Sequence, residues 1–189
     1  MQVANLTRLR RQHWRLHGRP EKNRTSRVMT KANITYRRAT SADLTAICTL
    51  GQEVNMLHHA EWPSIFAPPS DPARDVAHWR QGIEGEGCAA FVAEAHDEVI
   101  GFVTITAVTE KHSLLQPIRY ARINSVYVTR RERGKGIGRH LMAMAETWAV
   151  DVGAVDVRLN VWEFNADAVS LYRELGYGIR SLNMGKSLA

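Results

Sequence analysis

The sequence has little that could hold it together covalently. It contains two cysteines, Cys48 and Cys88, in 189 residues. Two thiols make neither a disulfide framework nor a four-thiolate zinc site. Both sit among apolar residues and read as small buried hydrophobes in a reducing compartment, so the expected localisation is cytoplasmic. No apolar run approaches the roughly 18 residues of a membrane span, so no membrane partner is expected. Acids are scarce at the N-terminus: residues 1–33 hold nine Lys/Arg against Glu21 alone, a net +8, while the rest of the chain is −2. That basic stretch lacks the apolar segment of a secretory leader. It also has too few large apolar side chains to bury a core.

What remains is an ordinary globular balance, 44% hydrophobic and 23% charged, enough for one domain. The expected organisation is a basic, flexible extension over 1–32 and a folded domain over 33–189. Met29 lies just ahead of the first strand-like pattern and is a candidate native start. Removing residues 1–28 is then expected to leave fold and activity intact.

Periodicity sets the elements. Ile34, Tyr36 and Arg38 alternate with polar residues, which predicts a strand over 33–39. Thr40 to Asp43 has the spacing of a capping box. Leu44, Ile47, Leu50, Val54 and Leu57 follow at helical spacing, predicting a helix over 41–58. Four of six prolines (Pro63, Pro68, Pro69, Pro72) fall in the next stretch, which predicts a stiff loop. Asp71-Pro72 opens a second helix with Val76, Trp79 (or Arg80) and Ile83 inward. Strands are predicted over 89–95 and 98–107 about a turn at His96-Asp97, and again over 119–129. A helix over 136–152 follows. A strand over 154–162 is expected to face Val155, Val157, Leu159 and Val161 one way. A short helix over 166–175 and a last strand over 177–187 complete an α+β domain with a mixed sheet.

The most informative segment is Val126-Tyr127-Val128-Thr129-Arg130-Arg131-Glu132-Arg133-Gly134-Lys135-Gly136-Ile137-Gly138-Arg139. A strand runs into a turn with glycines at alternate positions, and a helix begins within it. Glycine lets backbone N–H groups converge, and a helix start adds unpaired N–H groups and positive potential. The product is a phosphate cradle. It is not a Walker loop, since Arg139 follows Gly138 where Ser or Thr would have to follow a lysine, and its glycine spacing is not that of a dinucleotide fingerprint.

Arg133-x-x-Gly136-x-Gly138 after Val126-Tyr127-Val128 resembles the pyrophosphate motif of the GNAT superfamily of acyl-CoA-dependent N-acetyltransferases. Asn165 to Tyr177, with Ala168, Tyr172, Gly176 and Tyr177 at their places, resembles that family's C-terminal signature. The resemblance covers about 33–187. It implies a mixed, largely antiparallel sheet flanked by helices, in which two neighbouring parallel strands, 119–129 and 154–162, splay apart. It implies acetyl-CoA as co-substrate, no metal, and a primary amine as acceptor. Backbone groups of Val126, Tyr127 and Val128 would hold the pantetheine and acetyl carbonyl. Arg133, Gly134, Lys135, Gly136, Ile137, Gly138 and Arg139 would hold the pyrophosphate, and Asn165 the pantetheine. Tyr172 would be the general acid. The acceptor would lie beside the first two helices and their loop, near His58, His59, Trp62 and Phe66, and Glu94 would be a further acceptor-side residue. Members of the family are often homodimers.

The chain departs from the family in one respect. Many relatives carry a carboxylate on a splayed strand to deprotonate the amine, whereas those positions here read Asn124, Ser125 and Asn160. Glu53, Glu94, Glu163, His58 and His59 are the open alternatives. His58 and His59 are not a metal pair, because helical neighbours diverge by about 100°. Two other functions stay open: a non-catalytic acyl-CoA-binding regulatory module, and a tRNA-directed acetyltransferase tethered by the basic tail. The mildly acidic folded part gives no steer toward nucleic acid.

Overall fold

A computed structural model describes residues 33–186 and Leu188. The expected basic extension over 1–32 lies outside the described residues. Five strands form one sheet in the order β1-β2-β3-β4-β5. They are β1 (Thr35–Arg38), β2 (Cys88–Ala95), β3 (Glu98–Thr109), β4 (Arg119–Val128) and β5 (Val157–Leu159). All neighbours are antiparallel except β4 and β5, which are parallel. The helices are α1 (Leu44–Glu61), α2 (Val76–Glu84), α3 (Ile137–Asp151) and α4 (Ala166–Glu174).

Strand alternation divides the core between the two faces of the sheet. Phe91, Val103, Ile105 and Ile123 meet Ile137, Leu141, Met142 and Ala145 of α3 on one side. Val92, Phe102 and Tyr127 meet Ile47 and Leu50 of α1 and Trp79 and Ile83 of α2 on the other. The β2–β3 turn falls at His96-Asp97, both at positive φ (53° and 62°), the backbone that a tight hairpin needs. Arg37 of β1 donates to Asp43 at the start of α1 and to Glu94 of β2, at 2.8 and 2.6 Å. Asp43 also takes the Thr40 N–H at 2.8 Å. Cys48 and Cys88 are buried free thiols. Among the described residues no helix is long and apolar enough to cross a membrane.

Two expectations about the C-terminal third are corrected. Residues 177–186 form no strand. Their apolar members Ile179, Leu182 and Met184 do not share a period-2 face, and they are 70–88% exposed. Arg180 bonds Asp156 beside β5 instead. The expected strand over 154–162 shrinks to Val157–Leu159, and Val155 and Val161 are exposed rather than inward. β4 bends away from β5, which leaves the flanks of β5 without a pairing partner.

Candidate active site

The bend has a local cause. Thr104 pairs with Ser125, but Ile105 pairs with Ile123, so Asn124 is one residue too many for the ladder. Such a bulge kinks and twists its strand. Pairing with β5 stops at Ile123 and Leu159, and residues 124–128 continue with β3 alone. The bulge also shifts the facing: Ile123 joins the α3 core, while Tyr127 joins the α1/α2 core. The Thr129 N–H bonds the Ile100 carbonyl at 2.9 Å. Antiparallel alternation then aims the N–H and C=O of Val126 and Val128 away from β3, into the opening.

Beyond the opening the chain turns through Gly134 (φ 74°) and Gly136 (φ 80°), left-handed conformations that cost most other residues dearly. Gly136 is the N-cap of α3 and no side chain caps it. The first N–H groups of the helix therefore stay open to a ligand. Gly138 sits where a Cβ would touch Leu171 of α4 at 3.5 Å, so α3 and α4 approach closely here. Ile137 is buried and offers only its backbone. The three cations of the turn all have protein partners. Arg133 donates to the Val128 carbonyl at 3.0 Å, Lys135 to Glu132 at 2.8 Å and Arg139 to Glu174 at 2.6 Å.

α4 brings two sequence-predicted residues to the same region. The Asn165 side chain caps the helix, its Oδ1 accepting the Ala168 N–H at 3.3 Å, which leaves its amide N–H groups unused by the cap. Tyr172 packs edge-on against Tyr177, with ring centroids 5.9 Å apart. Burial raises the affinity of its phenol for the proton. The Tyr177 hydroxyl donates to Glu146 at 2.7 Å, whereas no protein partner is recorded for that of Tyr172 among the described residues. Of the two phenols, Tyr177 is the one engaged by a carboxylate.

On the opposite side α1 crosses β4. The Tyr127 hydroxyl donates to Glu53 at 2.5 Å. Burial and that carboxylate push its pKa up to about 12. Val54, Asn55, Asp75, His78, Trp79 and Ser125 line a cleft of about 310 Å³ between α1, α2 and β4, with Arg74 at its edge. Gln52 fixes the loop before α2: it accepts the Ser70 N–H at 2.8 Å and donates to Asp75 at 2.7 Å. At the end of α1 the rings of His58 and Phe66 lie 4.8 Å apart, and those of Phe66 and Trp162 4.9 Å. Trp62 also reaches Trp162, at 5.8 Å, and His58 reaches Phe164, at 5.5 Å. His59 bonds the Phe66 carbonyl through Nδ1 at 2.8 Å.

The structure thus gathers His58, His59, Trp62 and Phe66 but not Glu94. That carboxylate belongs to the Arg37–Asp43 cluster at the other end of α1. Asp43 and His58 are 15 positions apart, about 22 Å of helix. Sequence reasoning did not find Trp162, Phe164, Asp75 and His78 as neighbours of the site. No spacing rule joins residue 66 to residue 162.

Residues 54–177 match the sequence model of the Acetyltransferase (GNAT) family. Streptothricin acetyltransferase of Streptomyces lavendulae is 27% identical over 124 residues, 66% of this chain and 62% of that protein. The chain therefore spans less than two thirds of that relative. A mutant of the BH1408 protein from Bacillus halodurans shares the fold with a TM-score of 0.77 at 22% identity, over 82% of this chain and 99% of that one. Aminoglycoside N-acetyltransferase AAC(6')-Iy, solved in complex with CoA, aligns with a TM-score of 0.68 at 15% identity, over 86% and 99% of the two chains. The bulged strand, the glycine turn and the matched residues lead to one assignment: the chain belongs to the GNAT family of acetyltransferases.

Proposed function

We propose that the protein transfers an acetyl group from acetyl-CoA to a primary amine by direct attack, with Tyr172 as the general acid. The observation that carries this reading is the convergence of three features. Val126 and Val128 aim backbone groups into the opening beside β4, α3 begins uncapped at Gly136, and among the described residues the Tyr172 hydroxyl has no protein hydrogen-bond partner. The first suits a pantetheine arm and the second a pyrophosphate.

Acetyl-CoA supplies a thioester carbonyl whose carbon the amine attacks. A backbone N–H on the open edge of β4 faces the oxygen that becomes an oxyanion, and stabilises it without reorganising. As the C–S bond breaks, Tyr172 gives its proton to the leaving sulfur. The acceptor lies against the far wall, in the cleft bordered by Asn55, Asp75, His78 and Ser125. The rings of Trp62, Phe66 and Trp162 at the end of α1 suit an apolar substituent of the acceptor.

Calorimetric titration of acetyl-CoA into the full-length protein, with the dephosphorylated pantetheine thioester as control, tests the binding half. Micromolar affinity that requires the pyrophosphate is expected, and a folded protein that binds neither would overturn the reading. CoA release over an amine panel tests the catalytic half. Tyr172→Phe should keep acetyl-CoA affinity and lose about 10²-fold or more in turnover. Binding with no release for any amine would favour an acyl-CoA-binding module instead.

A further inference from the structure

We propose that His58 is the residue that takes the proton from the acceptor ammonium, its Nε2 facing the opening between β4 and the segment after β5. The inference rests on the acetyltransferase reading above and names a residue that reading leaves open.

The path of α1 places the imidazole. Glu53 touches β4 through Tyr127, and Val54 and Asn55 share a cleft with Ser125 of the same strand. Five residues after Glu53, about 7.5 Å along the helix, His58 reaches Phe164. Phe164 immediately precedes Asn165, the cap of α4. With β4 at one end and the segment after β5 at the other, this stretch of α1 bridges the two where β4 and β5 part. An acetyl group held by Val126 and Val128 lies under that bridge.

Hydrogen bonding fixes the tautomer. The Nδ1 of His58 is 2.8 Å from the Val54 carbonyl. A carbonyl oxygen only accepts, so Nδ1 carries the hydrogen. In the neutral ring Nε2 is then a lone pair, free to accept a proton. Rings of Phe66 and Phe164 hold the imidazole from two sides.

Four other candidate bases are committed or turned away. Glu94 serves Arg37. Glu53 takes the Tyr127 hydroxyl. The Asp75 carboxylate is held below its ordinary range by Arg74 and Gln52, which makes it a weak base. His59 points about 100° away around the helix and is tied to the Phe66 carbonyl. Charged groups on the elements around His58 are Glu53 and Glu61 on its own helix and Glu163 beside Phe164. The loop over 62–70 carries none.

The step balances simply. The ammonium N–H breaks, its proton goes to Nε2, and the freed electron pair forms the bond to the carbonyl carbon. The thiolate that leaves takes the Tyr172 proton, and the second proton that the nitrogen sheds as the amide forms restores the phenol. The imidazolium returns its proton to solvent.

Two nearly isosteric amines test this: phenethylamine, protonated at neutral pH, and O-benzylhydroxylamine, which is not. His58→Gln keeps an amide able to donate to the Val54 carbonyl but has no base. At pH 7 it should lose about 10²-fold or more in kcat/KM on phenethylamine. The loss should shrink as pH rises, and O-benzylhydroxylamine should be little affected. Equal losses on both amines at every pH, or no loss on phenethylamine, would overturn the assignment. So would a wild-type protein that binds acetyl-CoA yet acetylates neither amine. Failure to bind acetyl-CoA at all, read by calorimetry, would instead sink the underlying acetyltransferase reading and His58 with it. Nitrogen-15 spectra of the imidazoles in the wild type give a readout independent of the variant. A neutral His58 protonated at Nδ1 is expected, and one protonated at Nε2 would refute the proposal.

Discussion

Tyr127 makes stability fall at alkaline pH by an amount the structure sets. Its hydroxyl is buried between α1 and β4 and donates to Glu53 at 2.5 Å. In the fold its pKa is pushed up to about 12 from the usual 10. The unfolded chain therefore releases this proton first, and the native state binds more protons between the two values. Stability tied to the protonated phenol is fully present below pH 10 and is lost as pH rises toward 12. Two pKa units correspond to about 2.7 kcal/mol. The measurement is the denaturant midpoint at intervals from pH 8 to pH 12, for wild type and for Tyr127→Phe. At pH 8 the variant should be weaker by about 1–3 kcal/mol, because the Glu53 carboxylate loses its partner. Above pH 10 the wild type should decline faster, so the two curves converge. Lysines and Tyr177, whose pKa is also raised, act in both proteins and cancel in the difference. Parallel curves across pH 9–12 would show that the Tyr127 proton is not held by the fold, and the reasoning would fail.

Two further predictions concern the elements that carry the acceptor wall. At Gly51 a Cβ would stand 2.5 Å from Cζ2 of the Trp79 indole, so Gly51→Ala should destabilise by about 1–3 kcal/mol through overpacking, read from the thermal or urea midpoint. Arg37 beside Asp43 holds that carboxyl below its ordinary range. The stability it contributes is present above the unfolded pKa and lost as pH falls below it. Asp43→Asn should therefore cost about 1.5–3 kcal/mol at pH 7 and flatten the acid limb of the stability curve, which denaturation between pH 2 and pH 6 would show.

The legible parts of the fold were those set by local pattern. Helical spacing marked α1 and α3, alternation marked β1, and alternate glycines marked the turn before α3. The bulge left a trace too: the inward apolar residues step from Ile123 to Val126, three positions, before returning to a step of two at Val128. That phase slip is what one extra residue does to a ladder. The segment after Gly176 misled because its apolar residues suit a strand in composition, whereas a strand also needs a partner edge. The aromatic junction at the end of α1 was half legible. His58, near the end of α1, and Phe66, in the loop after it, lie where an acceptor was expected, but Trp162 and Phe164 meet them only through the fold, from the segment after β5.

On the proposed reading, Arg133 would couple the glycine turn to the open edge of β4. Its Nε donates to the Val128 carbonyl, one of the groups aimed into the opening, and its guanidinium stands over the Tyr127 ring at 5.4 Å. Lys135 and Arg139 are themselves exposed and each is tied to a single carboxylate, Glu132 and Glu174, and exposed cations in such pairs yield cheaply to a phosphate. Arg133 differs because moving it toward a pyrophosphate also releases a backbone acceptor for the pantetheine amide. A ligand without the pyrophosphate meets that carbonyl already occupied. Arg133→Ala should then act oppositely on two ligands. Acetyl-CoA should bind more weakly by about 1 kcal/mol, the scale of an exposed charge contact. The dephosphorylated pantetheine thioester should bind more tightly than to the wild type. Calorimetry on both ligands reads the crossover directly. A variant that weakens both equally would mean that Arg133 only supplies charge and that the Val128 carbonyl plays no part in holding the pantetheine.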